Sequence, residues 1–507
     1  MTEPFHRNPL TRRTFLAATM ISGLTLAACG RSDHGAATNS SPTPVDSTTI
    51  EAAEALRPHT GRTVTAALRP QTGEVDLGGI TTRTLVYGDT VPGPLIRANV
   101  GDELAVTVTN RLDHPTSIHW HGIALRNDMD GAAPASPDIK PGTDFTYRFS
   151  VPHPGTYWAH PHTGLNTDYG LYLPVIVDDP ADAGHYDAEW IVVLDDWTDG
   201  VGQSPQQILD GLRASGMSSS GMGHGMPGMS GMGAVGTSEL LGGDAGDIAY
   251  PYYLINGRVP AAPSIFKASP GQRIRMRIIN AAADTAFRVA LAGHPMTVTH
   301  TDGFPIQPTV VDALLLGMGE RYDVTITAAD GVFPLVALAE GKNQQARALL
   351  STATGTTPEP GSRPTELNGR IGTIDSFTPA PEAALPQAKP DVTLAANLTG
   401  GMMKYDWSID NRPYPDNVPL TIRQGQRARL TFDNQTMMWH PIHLHGHTFQ
   451  VVKPDGTAGP RKDTVIVLPM SKVRVDLIAD NPGDWMLHCH NGYHMDVGMM
   501  TRLDYTS

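Results

Sequence analysis

A chain of 507 residues is too long for a single hydrophobic core and suggests about three domains at roughly 100–200 residues each. Its 52 glycines and 42 prolines, against 17% charged residues, point to many turns and short strands, so an all-β fold is expected. A formal charge of −14 argues against nucleic acid as a partner and favours the approach of cations, and two cysteines leave no disulfide framework to read.

The first residues, 1–28, read as an address. Arg12 and Arg13 precede an apolar run at 15–28, shorter than the roughly 20 residues of a membrane-spanning helix. The paired arginines resemble a twin-arginine export signal, and Leu26 to Cys29 resembles the lipobox of bacterial lipoproteins, which implies lipidation at Cys29 and a place on the outer face of the cell membrane. Residues 29–59, opening on a stretch rich in Ser, Thr, Ala, Pro and Gly, read as a flexible tether.

Three glycine-led segments then repeat: GDELAVTVTN (101–110), GQRIRMRIIN (271–280) and GQRARLTFDN (425–434). Leu104, Val106 and Val108, then Ile274, Met276 and Ile278, then Ala428, Leu430 and Phe432 hold the same offsets, the period-2 face of a half-buried strand. The shared Gly and Asn are turn chemistry, so a β-sandwich module is expected three times, at 60–182, 183–355 and 393–507, with a linker at 356–392. PGTYWAHPH (154–162) aligns with PGDWMLHCH (482–490), while GVFPLVALAE (331–340) has neither histidine nor cysteine. The middle module therefore reads as spacing or docking surface.

Four His-x-His pairs mark the outer modules: His119/His121, His160/His162, His443/His445 and His488/His490. Residues i and i+2 of an extended chain share a face, so eight imidazoles can converge on one metal site. His440, Cys489, His494 and Met499 add two imidazoles, a thiolate and a weak thioether, the donor set of a blue, electron-transferring copper. Alternation points Cys489 to one site and His488 and His490 to the other, whereas structural zinc would want a closed tetrahedral set, commonly with more cysteines. His153, His185, His294, His300 and His447 lack the pairing or the position.

These motifs, closing with HCHNGYHMDVGM from His488 to Met499, resemble the signature of three-domain multicopper oxidases of the bacterial laccase-like and cuprous oxidase branch. The resemblance implies three cupredoxin-like Greek-key domains and four copper ions. His119 and His443 would bind type 2 copper. His121, His160, His162, His445, His488 and His490 would bind the type 3 pair, and His440, Cys489, His494 and Met499 type 1 copper. It also implies a proton-relaying carboxylate at Asp130, while the position after His494, where some members carry a glutamate, is Met495, followed by Asp496.

The implied reaction takes single electrons at the type 1 site, passes them through Cys489, and reduces dioxygen to water. The segment 215–233, with Met217, Met222, Met226, Met229 and Met232, is too rich in Gly and Ser for a core, and its soft thioethers suit copper(I). Met438 matches a methionine of cuprous oxidases, although Thr436 stands where they carry an acid. The expectation is a monomeric, membrane-anchored copper(I) oxidase in copper detoxification, with some activity on phenols. The alternatives are a laccase-type phenol oxidase and a non-catalytic copper store.

Overall fold

Each of the three repeated segments forms a strand that sits between the same two partners. The computed structural model describes residues 45–182, 185–215 and 235–506. The export signal, Cys29 and the five methionines from Met217 to Met232 lie outside the described residues. Strands Glu103–Thr109, Arg273–Asn280 and Arg427–Asn434 each pair in parallel with the first strand of their module, Thr63–Leu68, Ala188–Trp197 and Val392–Thr399. Each pairs antiparallel on its other side, with Asp144–Ser150, Arg321–Thr327 and Lys472–Ile478. All nine apolar residues of the period-2 face are buried, each stabilising the fold by about 1.5–3 kcal/mol if large.

The punctuation of the repeat has a direct physical reading. Gly101, Gly271 and Gly425 adopt φ of +82°, +84° and +81°, a left-handed turn that favours glycine. At the other end Asn110, Asn280 and Asn434 are buried, and the side-chain oxygen of each accepts the N–H two residues on, from Leu112, Ala282 and Thr436. Their amide groups donate to carbonyls of the following loop, so one residue closes the same corner three times.

The first module builds sheets of three, two and four strands, the second two six-stranded sheets, and the third a six- and a five-stranded sheet. The result is three β-sandwiches in series. Two segments are more ordered than the sequence suggests. Within the expected tether, Asp46 caps a helix at Ser47–Ala55, accepting the Thr49 N–H, and Glu54 accepts the N–H of Ser150. Within the linker, Ile371–Gly372 adds to the edge of the middle module, and Leu367 and Phe377 are buried. Among the described residues no helix is long and apolar enough to cross a membrane.

Candidate metal centre

Two short strand pairs carry most of the histidines. His119–His121 lies antiparallel to Gly155–His160, with His119 opposite His160, and His440–Leu444 lies antiparallel to Asp484–Cys489, with His443 opposite His488. The two pairs meet across the first and third modules: the rings of His119 and His445 stack at 3.6 Å, and those of His121 and His443 at 3.7 Å. His162, His488 and His490 close the group, with ring centroids of His162 and His488 4.8 Å apart and of His121 and His490 4.9 Å apart. The structure therefore brings together all eight histidines of the four pairs.

Hydrogen bonding fixes which nitrogen of each ring is protonated, because a carbonyl or carboxylate oxygen can only accept. His119 Nδ1 donates to the Asp130 carbonyl (3.0 Å) and His443 Nδ1 to the Asp463 carbonyl (2.9 Å). Their Nε2 lone pairs then face each other at 3.3 Å with no proton between them. His445 Nδ1 donates to Asp130 Oδ2 (2.8 Å) and His488 Nδ1 to the Cys489 carbonyl (2.9 Å), and again the two Nε2 atoms face each other, at 3.0 Å. His160 Nδ1 donates to the Pro161 carbonyl (3.0 Å). His121 is reversed: its Nε2 donates to Asp463 Oδ1 (3.1 Å). The Nδ1 of His121 and the Nε2 of His160, His162 and His490 have no hydrogen-bond partner among the described residues.

Protonation does not relieve the contact between His445 and His488. Burial, reinforced by neighbouring imidazoles, holds His160, His445, His488 and His490 well below the usual histidine range and brings His162 down to about 3. Buried lone pairs aimed at one another are costly unless a cation lies between them. The donor set, all imidazole nitrogen, suits copper. The residues present fit a copper cluster.

A second centre lies on the opposite face of the Cys489 strand. His440 Nδ1 and His494 Nδ1 are 3.1 Å apart, and each is 3.7 Å from Cys489 Sγ. The outer nitrogens are occupied: His494 Nε2 donates to Asp247 Oδ2 (3.0 Å), and His440 Nε2 bonds Thr436 Oγ1 (2.9 Å). Thr436 can send its own proton to Asn434 (2.8 Å), so the His440 Nδ1 lone pair faces the cysteine. Burial pushes the Cys489 thiol far up, partly offset by the Asn491 N–H, and a thiolate there calls for a metal cation. Met499 is fully buried, and its carbonyl accepts the Cys489 N–H at 3.0 Å. Trp407 packs 4.5 Å from the His494 ring and 5.2 Å from that of His440.

Buried carboxylates from the other modules clamp this turn. Asp284 accepts from Asn491 Nδ2 (2.7 Å), Asp168 from the Tyr493 hydroxyl, and Asp247 from His494. Neither these nor Asp463 carries a sequence signal, since each arrives by packing across modules or, for Asp463, by cross-strand pairing beside Thr464, which lies opposite His443. Asp130, singled out from the sequence, lies inside the cluster. Asp496 pairs with Arg213 at 3.0 Å at the partly exposed edge of the turn. Met438 is buried, while Met403, Met437 and Met470 are 82%, 72% and 66% exposed.

Comparison with known proteins agrees along the whole chain. Family models described as multicopper oxidase match residues 70–182, 188–357 and 387–507. A multicopper oxidase of Mycobacterium tuberculosis, MmcO, is 62% identical over 99% of this chain and 98% of its own length. A copper resistance protein A homolog of Pseudomonas syringae pv. tomato is 29% identical, covering 84% of this chain and 90% of that protein. Among solved structures, the laccase from Botrytis aclada superposes with a TM-score of 0.71 at 25% identity, over 89% of both chains.

Proposed function

The chain belongs to the multicopper oxidases, and on that premise we propose that it oxidises copper(I), and more slowly phenols, while reducing dioxygen to water. It holds four coppers per chain. His440, Cys489, His494 and Met499 bind type 1 copper and His119 and His443 type 2 copper, while His121, His160, His162, His445, His488 and His490 bind the type 3 pair. The observation that carries the reading is the set of facing lone pairs, Nε2 to Nε2 at 3.3 and 3.0 Å in the cluster and Nδ1 to Nδ1 at 3.1 Å beside Cys489. Bound copper supplies the one-electron steps and the site of dioxygen reduction.

The chain supplies the rest. Cys489 lies between His488 and His490 in sequence, so an electron taken near its sulfur reaches the cluster through covalent bonds of one strand. Asp130 holds His445 through Oδ2, and its Oδ1, 3.2 Å from His119 Nδ1, is placed to take and return a proton. Burial of all eight cluster rings but His162 keeps bulk water and reductants away from the oxygen chemistry.

A small soft cation fits the outer face better than a bulky ring. Both type 1 imidazoles are fully buried, and their outer nitrogens are taken by Thr436 and Asp247. Exposed thioethers at Met403, Met437 and Met470 and the methionines of 215–233 suit copper(I), as does a chain charge of −14. We assign the protein to copper detoxification, exported by the twin-arginine-like signal, anchored through a lipid on Cys29, and acting as a monomer. Oxygen uptake by the copper-loaded protein tests the reading: copper(I) should drive it faster than a simple phenol, the reverse order would make it a phenol oxidase, and copper binding without uptake would make it a store.

A further inference from the structure

The middle module offers no histidine or cysteine to either centre, yet one of its turns touches the cluster. A Cβ built on Gly319, where φ is +84°, would lie 2.9 Å from His121 Cε1 and 3.0 Å from His490 Cδ2. Two residues on, the fully buried Arg321 grips Asp463 with a two-pronged fork, Nη1 to Oδ1 and Nη2 to Oδ2, both at 2.7 Å. The same guanidinium donates from Nε to the carbonyl of Thr156 (3.0 Å), on the strand that carries His160, and from Nη1 to the carbonyl of Gly319 (3.1 Å). One side chain thus joins all three modules. The glycine of the HWHG motif belongs to this arrangement, since a Cβ on Gly122 would lie 2.3 Å from Arg321 Nη2 and 2.6 Å from Asp463 Oδ2.

We propose that Arg321 is a positioning residue that selects the ligating nitrogen of His121: its fork locks Asp463 so that Oδ1 accepts the His121 Nε2 proton and leaves Nδ1 facing the cluster. A planar fork holds a carboxylate in two dimensions, whereas an ammonium holds it at a point. His119, His160, His443 and His488 are oriented by main-chain carbonyls, which a side-chain change does not remove. His121 is oriented by Asp463, with Thr464 Oγ1 also within 3.1 Å, and Asp463 is a buried anion whose fork comes from Arg321. Freed from the fork, the carboxylate can rotate about its remaining bond from Thr464 Oγ1 (2.8 Å), and His121 can turn its other nitrogen inward. The middle module then acts on the chemistry through Arg321 and the Gly319 turn rather than as spacing alone.

This inference rests on the eight-histidine copper assignment, and its test separates the two. Arg321→Lys keeps the charge and loses the fork, and Gly319→Ala presses on His121 without touching the ion pair. Copper per chain, blue absorption, the electron spin resonance of the cluster coppers and oxygen uptake are measured for both variants and wild type. Expected for both is wild-type blue absorption with an altered cluster resonance, and a fall of about 10–100-fold in oxygen uptake or cluster copper affinity. Should Arg321→Lys fail to fold, Asp463→Asn, which keeps the side chain's shape and breaks the fork, decides by the same readouts. Wild-type cluster resonance and uptake in the folded variants would overturn the proposal, as would blue absorption falling in step with uptake, which marks a general loss of fold. A wild type with neither blue colour nor cluster copper would instead sink the copper assignment beneath it.

Discussion

Replacing Asp130 tests the cluster from the side opposite Arg321, and its two obvious variants separate orientation from proton transfer. The carboxylate accepts from His445 Nδ1 at 2.8 Å, and a hydrogen bond to a charged group contributes about 1.5–3 kcal/mol against about 1 kcal/mol for a neutral one. Asp130→Asn keeps the shape and an acceptor oxygen and so should lose about 0.5–2 kcal/mol, or roughly 2–30-fold in oxygen uptake if orientation is the whole role. Asp130→Ala leaves the His445 Nδ1–H buried without an acceptor and should cost about 10–100-fold. The main-chain carbonyl that accepts from His119 Nδ1 is retained in both variants, so the change at that ring is confined to the loss of Asp130 Oδ1, 3.2 Å away. Uptake is measured at saturating reductant alongside copper content and blue absorption, which should not change, since Asp130 makes no contact with His440, Cys489 or His494. If Asn is as slow as Ala, the carboxylate carries protons, because an amide orients but does not ferry them. Uptake within about twofold of wild type in Asp130→Ala would refute the reasoning, since the bond to His445 would then contribute nothing.

Three other outcomes are expected. Cys489→Ser should abolish blue colour and oxygen uptake while the chain keeps most of its cluster copper, and a variant retaining both properties would remove Cys489 from the type 1 site. Deleting 215–233 should leave thermal stability and blue absorption unchanged and lower uptake driven by dilute copper(I) more than uptake driven by a small phenol; equal losses would mean a structural segment. Cys29→Ala should move the protein from the membrane fraction to the soluble fraction outside the cytoplasm, and an unchanged distribution would show that no lipid holds it.

What the sequence made legible is what lies close along the chain. The His-x-His pairs, the cysteine between two histidines and the glycine and asparagine of each repeat encode their geometry within a few residues, and the eight histidines converge as their spacing implies. Asp247, Asp284, Asp168, Asp463 and Arg321 were not legible, because they reach the centres by pairing between strands and modules; the Arg321–Asp463 fork spans 142 positions. The helix Ser47–Ala55 had a readable start, Asp46 before a run of Ser, Thr, Glu and Ala, but the surrounding composition of a linker outweighed it. In the sequence Thr436 is legible only as the place of a missing acid. In the fold its hydroxyl bonds His440 Nε2, and an acid, Asp247, touches His494 instead.

The same bonds show where distant substitutions can reach the cluster. Four of its rings, His119, His160, His443 and His488, take their orientation from main-chain carbonyls of residues 130, 161, 463 and 489. Those carbonyls belong to the main chain, so a side-chain substitution does not remove them. His121 and His445 differ, because their donated protons go to the side chains of Asp463 and Asp130. These two bonds come from opposite sides of the stacked histidines, one backed by the middle module through Arg321 and the other by the loop that follows the HWHG motif. Control of ligand orientation by side chains is therefore concentrated at two carboxylates, and a fold with three modules but only two sets of ligands still uses its third module at the reacting centre.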